Sequence, residues 1–346
     1  MAIRTPTRTG IRQVAKKARV AISSVSRVIS GHPDVSPEMR ERVQAAVKAL
    51  GYEPDILAQS LRRGSTRTVG FLIGDISNPL FAQIALGAGL ALQERDHAML
   101  MANSLSAATD DATQLRLLRQ RRVDGFLISL SDETDPETIA QLKTLDKPFV
   151  LIDRKVQGVS SAAVLSDHAV GMHAAVEHLI ELGHRRIGLI AGGRTVLPTY
   201  ARADALLAAC GAHRGVRMLV EYGAYSAAHG EAAAGALLSR PEAPTALIAG
   251  GNQILPGVLL AIRRRRLRIP RDISLITCDY TPLAEFLEPP LATISRDTRE
   301  LGRRAAQQLL EVLRGSPPQC VVLPTSFAPG LSCGPPRAAA GRGARS

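Results

Sequence analysis

The sequence contains no tryptophan, and only 3% of its 346 residues are aromatic. It has four cysteines, Cys210, Cys278, Cys320 and Cys333, which form no CxxC pair and no Cys/His cluster with the spacing of a zinc site. Such isolated cysteines are typical of buried small side chains in a reducing compartment. We therefore predict no metal site and no cofactor.

Long apolar runs are also missing. No uncharged apolar stretch approaches the ~18 residues of a membrane-spanning helix, and the opening residues MAIRTPTRTG lack the apolar core of a secretion signal. The chain is nevertheless 45% hydrophobic, which allows a sizeable buried core and argues against global disorder. We expect a cytoplasmic protein of two or three domains with no membrane partner.

The net charge of +12 is unevenly distributed. Residues 1–64 contain 12 Lys+Arg and 5 Asp+Glu, and residues 335–346 contain three Arg and no acid. The residues between them carry only +2. A basic segment before a nearly neutral body indicates a polyanionic partner at the N-terminus, although a merely solvated basic surface is the alternative.

Residues 11–30 have the pattern of two short helices joined by a tight turn. Apolar residues at Ile11 and at three, four and seven positions later predict one face of the first helix, and Arg19-Val20 can form the turn. The second helix can direct its valines inward and leave three residues outside, namely Ser23, Ser24 and Arg27. Because serine is poor in helix interiors, this cluster favours a face against phosphates and bases over an ordinary polar face.

A third helix is predicted from Ser36-Pro37-Glu38, which combines an N-cap serine, a proline at the first helical position and an acid in the first turn. Gly51 ends this helix, and Gly31 ends the one before it. Three such helices in basic surroundings can present one helix to the DNA major groove.

The pattern I-x-x-V-A-x-x-A-x-V…S-V-S-R-V-I…V-S-P-E…L-G-Y-x-P resembles the headpiece of the lactose/galactose repressor (LacI/GalR) family of bacterial transcriptional regulators. The resemblance extends to about residue 333. It implies an all-α helix-turn-helix headpiece at residues 1–54 and a hinge helix with its linker at 55–66. A two-lobed, doubly wound α/β sensor, like the periplasmic binding proteins, would follow at 67–333.

The resemblance also implies which headpiece residues meet DNA. Ile22, Ser23 and Ser24 match the base-selecting positions, and Arg27 also lies in the groove, where arginine can bind guanine O6 and N7. Leu61 matches a leucine that wedges into the minor groove, beside Arg62, which would meet phosphates; otherwise Leu61 is a core residue of the linker. One departure is Ala21, where the family usually has a capping serine.

From residue 67 onward, short apolar runs alternate with amphipathic stretches, which indicates buried parallel strands in βαβ units. The family resemblance implies two lobes joined by three crossovers, with a ligand in the cleft between them. The first lobe would contain about residues 67–162 and 294–323, and the second about 163–293 and 324–333. The tail 334–346 has no leucine heptad and is predicted to be disordered, which favours a homodimer over a tetramer.

The cleft candidates are mostly polar residues near the ends of predicted strands, where ligands bind in such sheets. Positions matching Arg202 and Asp279 usually bind ligand hydroxyls or charge in the family, and Tyr225 matches an aromatic residue that stacks on a sugar. For each position the alternative is a helix cap or a surface charge. Asp75 and Asn78 both follow the first predicted strand of this unit. The eight residues selected as the site are Asn78, Phe81, Asp153, Arg202, Tyr225, Asn252, Asp279 and Arg296.

Two further departures concern the ligand. Gly251-Asn252 stands where the family commonly has Asn-Asp, and Arg296 stands where glutamine is common. Both changes make the cleft more positive, and arginine pairs well with carboxylate or phosphate. We therefore hypothesise an acidic effector, a sugar acid or sugar phosphate, instead of a neutral sugar, unless Arg296 pairs with Asp153 or Asp279.

Other function classes fit less well. The paired glycines give neither GxGxxG nor GxxxxGK[ST], and there is no GxSxG, so the signatures of several enzyme classes are missing. His168, His173 and His178 are spaced by five, unlike metal ligands on one helix face, which favours a solvated helix. A solute-binding protein would leave the headpiece unexplained.

The sequence thus predicts a repressor of a carbohydrate or sugar-acid operon, released from a pseudo-palindromic DNA operator by a small-molecule effector (a sugar, sugar acid or sugar phosphate). A corepressor-dependent or dual regulator of the same family stays open.

Overall fold

The computed structural model describes residues 10–52, 64–105, 108–281, 284 and 286–337. The chain divides into two compact units, residues 1–66 and 67–346. Most of the predicted hinge, including Leu61 and Arg62, lies outside the described residues.

The first unit contains three helices that bury a small apolar core. Their bounds are α1 Ile11–Ala18, α2 Ile22–Ile29 and α3 Pro37–Leu50. Val14, Val25 and Val43, one from each helix, are fully buried and belong to the same apolar cluster. The apolar spacing seen in the sequence therefore corresponds to one shared core.

The helix ends follow the local sequence. Arg19 ends α1 in the left-handed conformation at φ 52°, and Gly51 ends α3 at φ 57°. The Ser36 hydroxyl accepts a hydrogen bond from the Met39 amide at 3.3 Å and so caps α3. In contrast, Ala21 precedes α2 without any side-chain cap, as its methyl group requires.

Arg42 fixes the turn between α1 and α2. Its guanidinium donates to the carbonyl oxygens of Ala18 and Arg19, both at 3.0 Å. The last carbonyls of a helix have no partner inside the helix, so a cation here supplies what they lack. This basic residue of the headpiece therefore has a structural role.

The second unit is built from strands alternating with helices. The strands are β1 Thr68–Ile73, β2 Ala98–Asn103, β3 Gly125–Ile128, β4 Phe149–Ile152, β5 Ala162–Asp167, β6 Arg186–Ala191, β7 Arg217–Tyr222, β8 Ala246–Ala249, β9 Ser274–Cys278, β10 Ala292–Arg296 and β11 Cys320–Ala328. The helices are α4 Pro79–Gln93, α5 Ala108–Gln120, α6 Pro136–Lys143, α7 His168–Glu181, α8 Leu197–Gly211, α9 Ala227–Leu238, α10 Leu255–Arg264 and α11 Thr298–Leu313.

The strands form two mostly parallel sheets that share β11. The order in the first sheet is β2-β1-β3-β4-β5-β11, and in the second it is β11-β10-β9-β8-β6-β7. Residues 320–324 of β11 pair with β5 in parallel, and residues 325–328 pair with β10 antiparallel. Each sheet has its own apolar core, so the unit consists of two lobes.

Two lobe boundaries differ from the sequence prediction. β5 pairs with β4 and β11 and so belongs to the first lobe, although the sequence pattern places residues from 163 onward in the second. β10 pairs with β9 in the second lobe, although the pattern places residues from 294 onward in the first. An apolar strand pattern shows that a segment is buried but does not show which sheet it joins. The change of partner within β11 follows Pro324, one residue after the boundary between 323 and 324 that the sequence suggested.

Residues 334–337 are packed against the second lobe and contradict the expectation that disorder begins at 334. The Gly334 amide donates to Ser274 Oγ at 3.0 Å, and Arg337 forms an ion pair with Asp272 at 3.1 Å. Composition alone missed this segment because backbone groups make the contact at Gly334. The rest of the tail, 338–346, lies outside the described residues. In the described part of the chain no helix is long and apolar enough to cross a membrane.

Candidate functional site

A cavity of about 240 Å³ lies between the two lobes, at the carboxyl ends of strands from both sheets. All eight predicted cleft residues line it: Asn78, Phe81, Asp153, Arg202, Tyr225, Asn252, Asp279 and Arg296. The topology therefore collects residues that are up to 218 positions apart in the sequence, from Asn78 to Arg296. Asp75, a candidate at the end of the first strand of this unit, also lines the cavity, and so do Arg154 and Gln253, which the sequence did not single out.

Asp153 and Asp279 hold equivalent places in the two lobes. Asp153 follows β4 and Asp279 follows β9, and both have left-handed backbones, with φ of 51° and 65°. Each amide donates at 2.8 Å to the next strand, from Asp153 to Val164 and from Asp279 to Ile294. A non-glycine residue in this region is uncommon and costs conformational energy, which is characteristic of functional sites.

Arg296, at the end of β10, connects these two aspartates. Its Nε donates to Asp279 Oδ1 at 2.8 Å, and its Nη1 donates to Asp153 Oδ2. Since Asp153 belongs to the first lobe and Asp279 to the second, one guanidinium joins both lobes. Of the two arrangements that the sequence left open, pairing with Asp153 or with Asp279, the structure contains both.

Arg202, on α8, is only 3% exposed and completes the charged cluster. Its Nη2 donates to Asp279 Oδ1 at 2.9 Å and its Nη1 to the Gly250 carbonyl at 2.6 Å. Its Nε is buried and has no hydrogen-bond partner among the described residues. A buried unpartnered donor is costly, so this atom marks a place where a ligand acceptor is needed.

The charged groups control one another's ionisation. Burial alone would raise the pKa of Asp153, but His168 and Arg296 hold that pKa well below its usual range. Burial likewise acts to raise the pKa of Asp279, but Arg202 and Arg296 outweigh it, so that this pKa is also lowered. Both carboxylates are therefore ionised at neutral pH, which balances the two arginines.

His168 corrects one interpretation made from the sequence. The histidine spacing favours a solvated helix for it, together with His173 and His178. In the structure it is 3% exposed, and its Nε2 lies 3.0 Å from Asp153 Oδ2. Burial lowers the pKa of His168, so the ring is neutral and donates its Nε2 hydrogen to the carboxylate. The five-residue spacing could not reveal a partner on another element.

The Tyr225 ring lies across two glycines, Gly192 and Gly251, one from each Gly-Gly pair in the second lobe. A Cβ added at Gly192 would overlap the ring, and one at Gly251 would lie 2.8 Å from Cε1. The Tyr225 hydroxyl is 2.8 Å from Thr199 Oγ1. The glycines thus make room for an aromatic wall of the cavity.

Hydrogen bonds across the cleft join the lobes beside the cavity. Asn252 Nδ2 donates to Asn78 Oδ1 at 2.9 Å, and Gln253 Nε2 donates to Asp75 Oδ2 at 2.7 Å. Asn78 and Asn252 are therefore engaged with each other, as well as lining the cavity. Gln253 was missed, although its place directly after Asn252 gave a signal that could have identified it.

Glu133 forms a further connection between the lobes. This first-lobe residue is 5% exposed, and its Oε1 accepts the Leu197 amide hydrogen at 2.6 Å. Its Oε2 accepts from the Tyr200 hydroxyl at 3.2 Å, and its amide donates to Thr195 at 2.9 Å. Burial raises the pKa of Glu133. The loop sequence around Glu133 is rich in acids, so nothing in it singled out this residue.

In the first unit, the outward face of α2 is open as the sequence indicated. Ile22 is 44% exposed, Ser23 and Arg27 are accessible at its surface, and Ser24 is half-buried. Val25 and Val28 on the opposite face are buried. Four of the six predicted DNA-contacting residues thus share one accessible face, while Leu61 and Arg62 lie outside the described residues.

The chain is similar to known proteins over nearly its whole length. Residues 10–55 match the family model for bacterial regulatory proteins of the lacI family, and residues 176–333 match a periplasmic binding protein-like domain. The ribose operon repressor of Haemophilus influenzae is 31% identical over 307 residues, covering 88% of this chain and 92% of that protein.

Solved structures agree with this. A lac repressor dimer bound to operator and the anti-inducer ONPF has a TM-score of 0.85 at 26% identity, covering 94% of this chain and 99% of that one. A complex of the transcriptional regulator CelR with cellobiose has a TM-score of 0.71 at 30% identity, covering 94% and 100%. These proteins are regulators and not enzymes. The predicted family and fold are thereby confirmed: the chain belongs to the LacI family of bacterial, DNA-binding transcriptional regulators.

Proposed function

We propose that the protein is a cytoplasmic, homodimeric repressor of an operon for carbohydrate use. A neutral, polyhydroxylated effector bound in the cleft would release it from a pseudo-palindromic operator. The observation that carries the effector class is the balance of charge around the cavity. Asp75, Asp153 and Asp279 face Arg154, Arg202 and Arg296, three carboxylates against three guanidinium groups.

This balance argues against the acidic effector expected from the sequence. That expectation rested on an extra positive charge at Arg296, but this guanidinium is already paired with Asp153 and Asp279. An anionic ligand would have to displace a buried carboxylate and leave it unpaired, which is costly. A neutral ligand needs no such exchange.

The unused hydrogen-bonding groups fit hydroxyls. Arg202 Nε is a donor without a partner among the described residues. The side-chain contacts of Asp279 with the two arginines use Oδ1, and that of Asn252 with Asn78 uses Nδ2, so the other oxygen of each side chain can accept from a ligand. A hydroxyl both donates and accepts, so a polyol can satisfy this mixed set. The cavity of about 240 Å³ is at the small end for ligand sites, which favours a ligand of monosaccharide size. The ribose operon repressor among the relatives and the cellobiose bound to CelR support a sugar.

The DNA part of the proposal rests on α2. Its exposed face carries Arg27, which can bind a guanine edge, and Ile22, which can contact a thymine methyl group. One such helix reads a half-site, so a two-fold dimer like that of the lac repressor would read a pseudo-palindrome. By resemblance, Leu61 would wedge into the minor groove and Arg62 would contact phosphates.

Effector and operator would be coupled through the cleft. An effector that binds the closed lobes more tightly than the open lobes shifts the population between them, and coupling of this kind is typically about 1–3 kcal/mol. We propose that effector binding lowers the affinity for the operator. For a corepressor-dependent regulator of the same family, the same titration would show that the ligand raises the affinity for the operator.

The first experiment is selection of bound sequences from a random duplex pool, followed by titration of the selected operator with Arg27→Ala. We expect wild type to select a pseudo-palindrome, and Arg27→Ala to lose about 1–3 kcal/mol of base discrimination at one position in each half-site. Arg12→Ala is the matched control, since Arg12 is exposed on α1 and not on the α2 face. Unchanged base preference in Arg27→Ala would remove α2 from its assigned role.

The effector class is tested by calorimetry of the full chain with neutral pentoses and hexoses and with the corresponding sugar acids. Binding of a neutral sugar that also weakens operator binding is the expected result. Binding of the acids alone would overturn the charge argument and restore the acidic effector. Arg202→Gln should abolish binding, because it removes both the unpartnered Nε and a partner of Asp279.

A further inference from the structure

A run of arginines in the second lobe is not used by the proposed function. Residues 263–272 contain six arginines and one aspartate, a net charge of +5 within ten residues. The rest of residues 65–334 sums to −3. The run is therefore a basic segment in an otherwise acidic unit, and we call it the arginine patch. Its members are Arg263, Arg264, Arg265, Arg266, Arg268 and Arg271.

The fold places the arginine patch at the end of the second lobe opposite the cleft, where strand β9 begins. It begins in the last turn of α10 and ends just before β9, whose first residue is Ser274. The cavity lies at the carboxyl ends of the strands, whereas this segment precedes the amino end of β9. All six arginines are exposed. The arginine patch is thus separate from the effector cavity.

Local contacts account for only part of the arginine patch. Arg264 pairs with Glu231, and Arg265 donates to the Gly235 carbonyl at 2.7 Å and to Ser239 Oγ at 2.6 Å. The side chains of the other four form no hydrogen bond or ion pair with any described residue, and these are Arg263, Arg266, Arg268 and Arg271.

The helix dipole does not explain the four unpaired arginines. Cations near the carboxyl end of a helix are favourable, but the effect fades within the last turn. Only Arg263 lies in the last turn of α10, and the other three follow the end of the helix. Four exposed like charges within nine residues of the chain repel one another unless an anion is shared. Their arrangement therefore points to an anionic partner.

The C-terminal segment adds to the arginine patch. Gly334 is bound to Ser274 and Arg337 to Asp272, so the chain reaches residue 337 beside the patch. The sequence then continues with Arg342 and Arg345 and no acid. The arginine patch with residues 335–346 carries +8 of the total net charge of +12. Residues 1–64 carry +7, so the excess positive charge of the sequence is divided between these two parts and is not confined to the DNA-reading headpiece.

We propose that the arginine patch is a second DNA-binding surface, which binds the phosphate backbone of double-stranded DNA outside the operator. Arginine binds phosphate in a planar, bidentate way, and backbone contacts need no reading of bases. A regulator held at its operator is surrounded by neighbouring duplex at high local concentration, so even weak contacts are occupied. The acidic remainder of the unit confines this binding to the arginine patch.

The test asks whether operator-bound protein captures a second duplex. The full-length protein is saturated with the selected operator duplex carrying one dye, and a scrambled duplex carrying an acceptor dye is then titrated. The test variant is R263Q/R266Q/R268Q/R271Q. The matched control is R95Q/R119Q/R121Q/R214Q, which removes four exposed arginines elsewhere on the same unit.

We expect energy transfer for wild type and control, and at least a tenfold weaker capture by the patch variant. The slope of log affinity against log salt should fall by about 0.9 for each phosphate that the patch variant no longer binds. Equal capture by the two variants, or none by wild type, would overturn the proposal. Competition by polyglutamate at equal charge but not by unlabelled duplex would also overturn it, since the partner would then be an acidic protein.

The result is independent of the repressor assignment. If no operator is recovered, the same three proteins are titrated directly with the scrambled duplex, and the patch variant must still lose salt-sensitive affinity relative to the control. If no operator is selected but the patch variant still binds the scrambled duplex more weakly than the control, the repressor function is contradicted. The proposed role of the arginine patch in DNA binding is then still supported.

Discussion

Arg296 shows how one side chain changes the chemistry of a whole cavity. It lies in the position where glutamine is common in the family, and there it joins an aspartate from each lobe. Both aspartates neutralise its positive charge. The arginine therefore joins the two lobes but adds little positive charge for a ligand to bind. The sequence could show the extra cation but not its two partners, which follow β4 and β9.

Replacing Arg296 with glutamine should destabilise the sensor by about 3–5 kcal/mol, since two buried carboxylates lose a partner. The measurement is the urea midpoint of the full-length protein by circular dichroism. Arg217→Gln is the control, because its ion pair with Glu242 is exposed and exposed pairs contribute about 0–1 kcal/mol. Similar midpoints for the two variants would show that the Arg296 contacts contribute nothing to stability.

On acidification, Arg296→Gln should unfold at a higher pH than wild type. Arginines keep the pKa of Asp153 and Asp279 low in the folded protein, so the folded state binds fewer protons than the unfolded chain in acid. The stability that these groups contribute is present above their ordinary pKa and is lost as pH falls through the folded-state pKa. Arg296→Gln raises both folded-state pKa values, and its acid transition should therefore begin earlier than that of wild type. Coincident acid transitions would refute this reasoning.

At the scale of single elements, the start of α2 is weaker than that of α3. Ala21 supplies no cap, whereas Ser36 caps α3. Ala21→Ser should stabilise the headpiece by about 0.5–2 kcal/mol, and Ser36→Ala should destabilise it by a similar amount. Hydrogen exchange of the peptide spanning residues 21–30 measures the effect. Slower exchange in Ala21→Ser is expected, and unchanged exchange would mean that α2 is held by packing alone.

Helix packing in the first lobe depends on two glycines that face each other. A Cβ at Gly302 of α11 would overlap the Ile84 carbonyl oxygen, and one at Gly87 of α4 would overlap that of Arg299. Gly302→Ala should therefore cost about 1–3 kcal/mol by forcing the helices apart. Gly89→Ala, also on α4, is the control, because its nearest neighbour is Met99 at 3.7 Å. The control should gain roughly 0.5–1 kcal/mol from helix propensity, and a stable Gly302→Ala would exclude the tight crossing.

Elements with local signals could be predicted from the sequence, and contacts between distant elements could not. The helices of the headpiece follow from apolar spacing and cap residues such as Ser36, and the eight cleft residues follow from strand ends and family resemblance. Backbone hydrogen bonds place β5 in the first lobe and β10 in the second, the reverse of the expected assignment. Glu133 and His168 acquire their roles from partners on other elements, and no local pattern encodes such pairs.

At the scale of the whole sensor, closure of the cleft is held by the protein's own groups. Arg296, the pair Asn78 and Asn252, and Glu133 each cross between lobes that share only three chain connections. An effector therefore adds to existing contacts. The population of closed sensor without ligand is set by these bonds, and so is the apparent effector affinity, which scales with the closed fraction.

Glu133 offers the sharpest test of this closure. The N-cap of α8 is Val196, which has no capping side chain, and the carboxylate of Glu133 accepts the Leu197 amide hydrogen from the opposite lobe. The Leu197 amide thus receives this acceptor only when the cleft is closed. Glu133→Ala should remove this bond and shift the population toward open lobes, with a larger radius of gyration in X-ray scattering and effector affinity at least tenfold weaker.

Glu133→Gln provides the matched comparison, since its amide oxygen still accepts the Leu197 hydrogen. Burial raises the pKa of Glu133, so the closed form binds the proton more tightly than the open form. Closure of wild type should then weaken as pH rises through this pKa, while closure of the glutamine variant should not change over the same range. If both variants scatter like wild type across that range, the lobes are held together by the charged cluster around Arg296 and not by Glu133.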